Sequence, residues 1–211
     1  MKLSSISGLA LMFTVGVASA GQAQAGITGS KHDFKAKGWG TTEICVFCHT
    51  THNSNITVVN APLWNHAMTV ATFQPYSSTT MQATPVPGQP TGLSKLCLSC
   101  HDGTVAIDSY GGRTGTNFVS GGTLVGTDLR NDHPIGFNYD PTLATADGGL
   151  KNPNTAVSGV TASGTINADL LANSNKMECS SCHDVHNTFN ISKLLVKSNA
   201  SSALCLTCHV K

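Results

Sequence analysis

Eight cysteines fall into four C-x-x-C pairs, and a histidine follows each pair directly: Cys45, Cys48 and His49; Cys97, Cys100 and His101; Cys179, Cys182 and His183; Cys205, Cys208 and His209. No other feature narrows the fold so far. Eight cysteines in an exported chain first suggest four disulfides, and two C-x-x-C pairs can also gather one zinc ion between four thiolates. Neither arrangement has a use for histidine at the same place every time. C-x-x-C-H is the attachment signature of c-type haem. Two thiols on one turn of chain add to two vinyl groups on one porphyrin edge, and the next side chain swings under the ring as the proximal iron ligand. The spacing therefore predicts four covalently attached haems c.

The N-terminus predicts export. Lys2 precedes the apolar run GLALMFTVGVASA, and the small residues after it suit signal-peptidase cleavage after Ala25, with Ala20 as a second choice. Residues 1–25 are read as a signal peptide and 26–211 as one tetrahaem cytochrome domain. The run is too short to span a bilayer comfortably, so no membrane span is expected after cleavage. A near-even balance of Lys+Arg 12 against Asp+Glu 11 supplies no basic face for nucleic acid.

Only 11% of residues are charged, yet no window holds a sustained 3.6-residue apolar period. The expected fold is therefore mostly irregular, with few short helices and minimal strand, wrapped around a chain of four haems. Porphyrin should supply much of the buried apolar surface, leaving the apo chain largely unfolded. Ser94 reads as the N-cap of the turn carrying Cys97, Ser201 or Ser202 as that of the turn carrying Cys205, and Gly103 as the stop after His101. The segment from Thr84 to Gly92 reads as a proline-set turn. The long interval from Gly111 to Asn175 reads as loops with β-like stretches at TLVG and GVTASGTI.

Nine histidines, less the four proximal ones, leave His32, His52, His66, His133 and His186 for the distal positions. Every iron can thus take two imidazoles, with Met68, Met81 and Met177 left to pack. His52 and His186 each come three residues after a proximal histidine, so on a helical turn the paired side chains start about 5–6 Å apart. The macrocycle stands between each of them and the far face of its own motif's haem, so each must serve a neighbouring haem. His66 and His133 lie beside Trp64, Ile135 and Phe137, which can cover a porphyrin face. His32 is the odd one out: it and His52 lie near the mature N-terminus, where either can reach a haem in another copy.

In chain order, SKHDF, CVFCHTTHN, APLWNH, SKLCLSCHDGTVAIDSYGG, NDHPIGF, MECSSCHDVHNT and ALCLTCH together resemble the exported multihaem c-type cytochromes with paired C-x-x-C-H motifs, and among them the tetrahaem nanowire cytochromes of metal-reducing bacteria. The resemblance spans most of the mature chain apart from loops near residues 111–125 and 140–170. It implies bis-histidine haems, little regular structure, and subunits stacked head to tail with one haem per subunit ligated by a neighbour's histidine. It also implies an electron-transfer protein, not an enzyme, secreted to the cell surface or beyond. Its redox partners would be other cytochromes and extracellular acceptors such as metal oxides. A monomeric periplasmic carrier is the alternative reading, and a multihaem reductase the third.

Overall fold

The computed structural model describes residues 26–57, 63–171 and 175–210; the expected signal segment lies outside them. Among the described residues the regular elements are short: α1 Gly92–His101, α2 Pro141–Asp147, α3 Ile166–Leu170 and α4 Cys205–Cys208, with single 3-10 turns between them. Strand pairing among these residues is confined to isolated bridges, such as Val157 with Thr165 and Gln74 with Asp128. The mostly irregular fold stands. The β-like stretches do not extend: GVTASGTI keeps one bridge, through Thr165, and TLVG instead donates the Val125 N–H to His101 O at 2.8 Å. No helix among the described residues is long and apolar enough to cross a membrane.

A chain with so little ladder must satisfy its backbone amides in other ways. Side chains do much of this. Asp108 accepts the Thr116 and Asn117 N–H groups at 3.0 and 2.9 Å. Gln89 imitates a strand partner, accepting the Phe73 N–H and donating to Phe73 O, both at 2.8 Å. The expected turn before α1 contains a cis Thr84–Pro85 peptide.

The central interval is more ordered than the reading of loops allows. Asp140 caps α2 by accepting the Leu143 N–H at 2.8 Å, Pro141 opens the helix, and Gly148 closes it in the left-handed region at φ 70°. Thr165 caps α3 by accepting the Ala168 N–H at 3.2 Å. These helices bury Leu143, Ile166 and Leu170, which pack with Phe137, Tyr139 and Met177 in the largest apolar cluster. A genuine aliphatic and aromatic core therefore exists between the second and third motifs. It forms because two capped turns, too short to show a period, turn their apolar residues into one shared cluster.

The predicted caps fare unevenly. Gly103 does end α1, at φ 77° with its N–H on Cys100 O at 3.1 Å. Ser94 is not the N-cap: α1 begins at Gly92, and Ser94 is fully buried inside its first turn, donating its N–H to Glu178 at 3.0 Å. Ser201 and Ser202 occupy a separate 3-10 turn at φ 52° and 62°, and α4 starts after Leu204 without a side-chain cap. At Ser94 tertiary packing outranks local capping preference.

A second knot of side chains holds the N-terminal segment. Phe47, between the two cysteines of the first motif, is 1% exposed. Its ring meets Phe34, Trp39 and Tyr110 at centroid distances of 5.5, 6.1 and 4.9 Å. The Tyr110 hydroxyl and the Arg113 guanidinium both donate to Trp39 O, at 2.5 and 2.7 Å. Aromatic packing of this kind adds to simple burial.

Urea unfolding of the haem-loaded protein should separate these contributions. Ile166→Ala should lower stability by about 2–5 kcal/mol by leaving a cavity, whereas Asp140→Ala should lower it by about 1 kcal/mol through the lost cap. Phe47→Ala should lower it by about 3–5 kcal/mol, and amide exchange should quicken across residues 31–40 while staying slow across 137–171. Equal quickening in both regions would show that the aromatic knot does not act locally.

Candidate haem-attachment centres

The four attachment turns are built differently. The second motif ends α1, so Cys97, Cys100 and His101 share a true helix. The third lies on a 3-10 turn, Cys179–Ser181, and the fourth on α4. His49 and His183 leave their turns as bridge residues, paired with Trp64 and Leu195. The helical turn expected across CHTTH and CHDVH is therefore absent. Asp184 shows why in the second case: its carboxylate accepts the His186 and Thr188 N–H groups at 3.0 and 2.6 Å, turning the chain out of a helix. Asp102 does the same after His101, accepting the Thr104 N–H at 2.7 Å while also taking the Thr69 hydroxyl.

None of the eight cysteines is paired in a disulfide. Among the described residues, no group of three or more His, Cys, Asp or Glu side chains is placed to hold a metal ion. Burial, with Cys45 adjacent, pushes the Cys48 thiol up to about 11. Burial first, then the charges of Cys48 and Asp102, takes Cys100 to about 12. Cys97 is exposed as a residue, but its sulfur is paired with Cys179, and that hydrogen bond, ahead of burial, raises Cys97 while lowering Cys179. Cys208 reaches about 11 through burial and then Cys182. The thiols' mutual influence also runs in chain order, Cys48 with Cys100, Cys97 with Cys179, and Cys182 with Cys205 and Cys208.

Three proximal imidazoles have a second imidazole opposite. His49 and His186 lie 6.3 Å apart, centroid to centroid, with their planes 16° from parallel. His101 and His32 lie 6.1 Å apart, and His209 and His133 lie 6.4 Å apart. A metal–imidazole bond of about 2.0–2.1 Å on each side, plus the depth of each ring, asks for about 6.3 Å between rings on opposite faces of one metal. The residues present therefore fit a six-coordinate haem iron at three centres. His183 has no such companion among the described residues.

The ring nitrogens are prepared for this use. His101 Nδ1 stands 2.8 Å from Thr123 O, His183 Nδ1 3.0 Å from Lys193 O, and His133 Nδ1 2.9 Å from Pro134 O. A proton donated at Nδ1 fixes the tautomer and leaves the Nε2 lone pair for a metal. His32 Nδ1 is buried with no hydrogen-bond partner. Burial first, then the charges of His101 and His183, lowers His32 to about 4, so the ring stays neutral. Apolar side chains wait beside these imidazoles: Leu124 and Val125 near His101, Val185 near His183 and Val210 beside His209 are each more than two-fifths exposed.

The remaining candidates sit apart. His66 is 4% exposed, and both its ring nitrogens face carbonyls, Nδ1 at 2.7 Å from Ala67 O and Nε2 at 3.0 Å from Ala106 O. Its nearest ring is Trp64 at 6.3 Å, and Cys100 Sγ lies 3.5 Å from Nε2. His52 is exposed and makes no ring contact among the described residues. Met68 and Met177 pack in apolar clusters, and Met81 lies against the same cluster as Met177. Asp102, Asp184 and Glu178 join the site without having been expected there. An aspartate directly after the proximal histidine, in CHDG and CHDV, is the signal for the first two.

Compared with known protein families, residues 172–211 match the doubled CXXCH motif, across the third and fourth attachment turns. No curated protein matches the chain. The doubled motif supports a multihaem c-type cytochrome, a chain that binds haem c covalently and carries electrons.

Proposed function

We propose that this chain holds four covalent haems c, each between two imidazoles, and that its copies join head to tail into an extracellular filament that conducts electrons. The observation that carries the reading is the ring spacing of 6.1–6.4 Å in three proximal–distal pairs, His101 with His32, His49 with His186 and His209 with His133. When bound, each haem iron supplies a one-electron Fe(III)/Fe(II) change, and two imidazole ligands hold its potential low compared with a methionine-ligated haem.

The residues divide the work. Cys45, Cys48, Cys97, Cys100, Cys179, Cys182, Cys205 and Cys208 anchor the four porphyrins. His32, His133 and His186 close three irons within one copy, and each of the three comes from a segment far along the chain from the motif it completes. His66 serves as a buried polar strut with both ring nitrogens on backbone carbonyls. His52 and His183 are then the unmatched pair. His52 is exposed beside Ile56, 89% exposed, and Leu63, 50% exposed; His183 is exposed beside Val185 and Phe189. A copy that lays its His52 loop on the next copy's His183 completes the third haem. Such a contact uses two different surfaces, so it propagates without closing. Of the two histidines expected to act between copies, this leaves His52, because His32 faces His101 in its own chain.

The solitary His183 also suits a multihaem reductase, whose iron needs an open face. The two readings part under test. The secreted mature protein should show four covalent haems by mass and wholly low-spin spectra when assembled, and cryo-electron microscopy of the extracellular fraction should show filaments. His52→Ala should give discrete monomers with one haem of four turned high-spin, while His32→Ala, His133→Ala or His186→Ala should each turn one haem high-spin without abolishing assembly. Monomeric wild type with four low-spin haems would favour a periplasmic carrier instead. A high-spin haem that persists in the wild type and shifts with small anions would favour a reductase.

A further inference from the structure

The fourth attachment turn is gripped by two ammonium groups. Lys151 Nζ donates to Leu206 O at 2.6 Å. Lys197 Nζ donates to the Thr207 hydroxyl at 2.9 Å and to Ser158 O at 2.6 Å. Both lysines are half-buried, and Thr207 is 4% exposed. The placement is built from several directions. The Lys151 backbone N–H donates to Cys208 O at 2.8 Å, so this residue is pinned to the turn at both ends. The Thr207 hydroxyl gives its proton to Ala203 O at 2.9 Å, which leaves its lone pairs for Lys197. Gly159, at φ +69°, leaves the room that Lys197 fills, for a Cβ there would stand 3.0 Å from Nζ.

Among the described residues, neither ammonium forms an ion pair with a carboxylate. The ion pairs among the described residues are Lys35 with Asp33, Arg130 with Asp128, and His186 with Asp184. Asp132 and Asp147 are exposed, where water and salt screen them, and the half-buried Asp169 accepts the hydroxyls of Thr161 and of Ser158, the residue whose carbonyl Lys197 holds. The earlier motifs keep opposite company. Glu178 is buried where the second and third motifs meet, accepting both the N–H and the hydroxyl of Ser94, and the Ser94 oxygen in turn accepts the Cys179 N–H at 3.1 Å. Asp102, also buried, comes directly after His101. Buried carboxylates thus accompany the second and third motifs, and two half-buried lysines hold the fourth.

Adding one electron to Fe(III) removes one positive charge from the haem. A fixed, half-buried cation beside the haem therefore favours the reduced form, and a buried acceptor of negative character disfavours it. We propose that Lys151 and Lys197 make the haem held by Cys205, Cys208 and His209 the most oxidising of the four, so that an electron entering the chain comes to rest at its C-terminal centre. This rests on the chain's carrying a haem at each of its four motifs.

Potentiometric titration of the loaded wild type, with dithionite supplying electrons through mediators, should resolve one midpoint more positive than the others. Lys151→Met and Lys197→Met should each move that midpoint downward and leave the remaining three in place. Lys151→Arg and Lys197→Arg should restore it, because they keep the charge. Unchanged midpoints in fully loaded methionine variants would overturn the proposal, as would an equal fall in the arginine variants, which would mean that packing and not charge sets the value. Haem content by mass is measured on the same samples. A wild type lacking haem at the fourth motif fails that measurement and removes the functional reading as well, whereas a fully loaded protein with an unmoved midpoint removes this proposal alone.

Discussion

Three pairs of imidazoles, each drawn from distant parts of the chain and held about one metal's width apart, are the constraint from which the rest of this molecule is arranged. His32 reaches His101 from the N-terminal segment, His133 reaches His209 across the central core, and His186 reaches back to His49. Closing loops of that length loses chain entropy that grows only slowly with length. On the proposed reading a metal held by both imidazoles at each closure would offset it, because a ligand that binds only the closed chain stabilises the closed chain. The protein can therefore hold its shape with four helices of ten residues or fewer among the described residues.

Once these closures fix the path, the backbone between them is satisfied piecemeal. Asp108, Asp169, Asp184 and Gln89 each take N–H groups that a helix or sheet would otherwise take. The aspartates after His101 and His183 are the most informative of these side chains. Each stops its motif from running on as a helix and aims the next stretch of chain. Asp102 turns Thr104 back toward its own carboxylate, and Asp184 sends His186 toward the first motif. Local side-chain chemistry here sets the direction of the ligand-bearing segments, and the apolar clusters fill the space between them.

How much of this was legible in the residues depends on the range of each interaction. Covalent attachment is local, so C-x-x-C-H suffices to suggest a multihaem c-type cytochrome, and the doubled-motif match over residues 172–211 agrees. The irregular fold was legible from the missing apolar period, and the stop at Gly103 from the need for a left-handed residue after α1. Which imidazoles come to face one another is a property of topology, and no local pattern in the sequence separates His32 from His66. His32 looked the weaker candidate because of its place near the terminus, yet Phe34, Trp39 and Phe47 pin that segment so that its ring faces His101. His66, flanked by tryptophan and apolar residues, looked the better one, but it sits against the carbonyls of Ala67, Ala106 and Ile107. The cap signals of α2, Asp140, Pro141 and Gly148, were present in the sequence. They bracket only seven residues, too few for a period to confirm them. Ser94 shows the opposite failure: a good capping residue was drawn instead into a buried contact with Glu178.

The scarcity of charge gives these few buried groups their weight. With charged residues at 11% of the chain, a lysine that is half-buried and unpaired is not averaged away by neighbours of both signs, as it would be on an ordinary surface. The same holds for Glu178 between the second and third motifs. Interactions in a poorly hydrated interior reach farther than the Debye length of the solvent suggests. A line of redox centres embedded in such a chain will therefore differ from one centre to the next according to single side chains. The residues that hold each attachment turn in place are, for that reason, also the residues best placed to set its electrostatic environment.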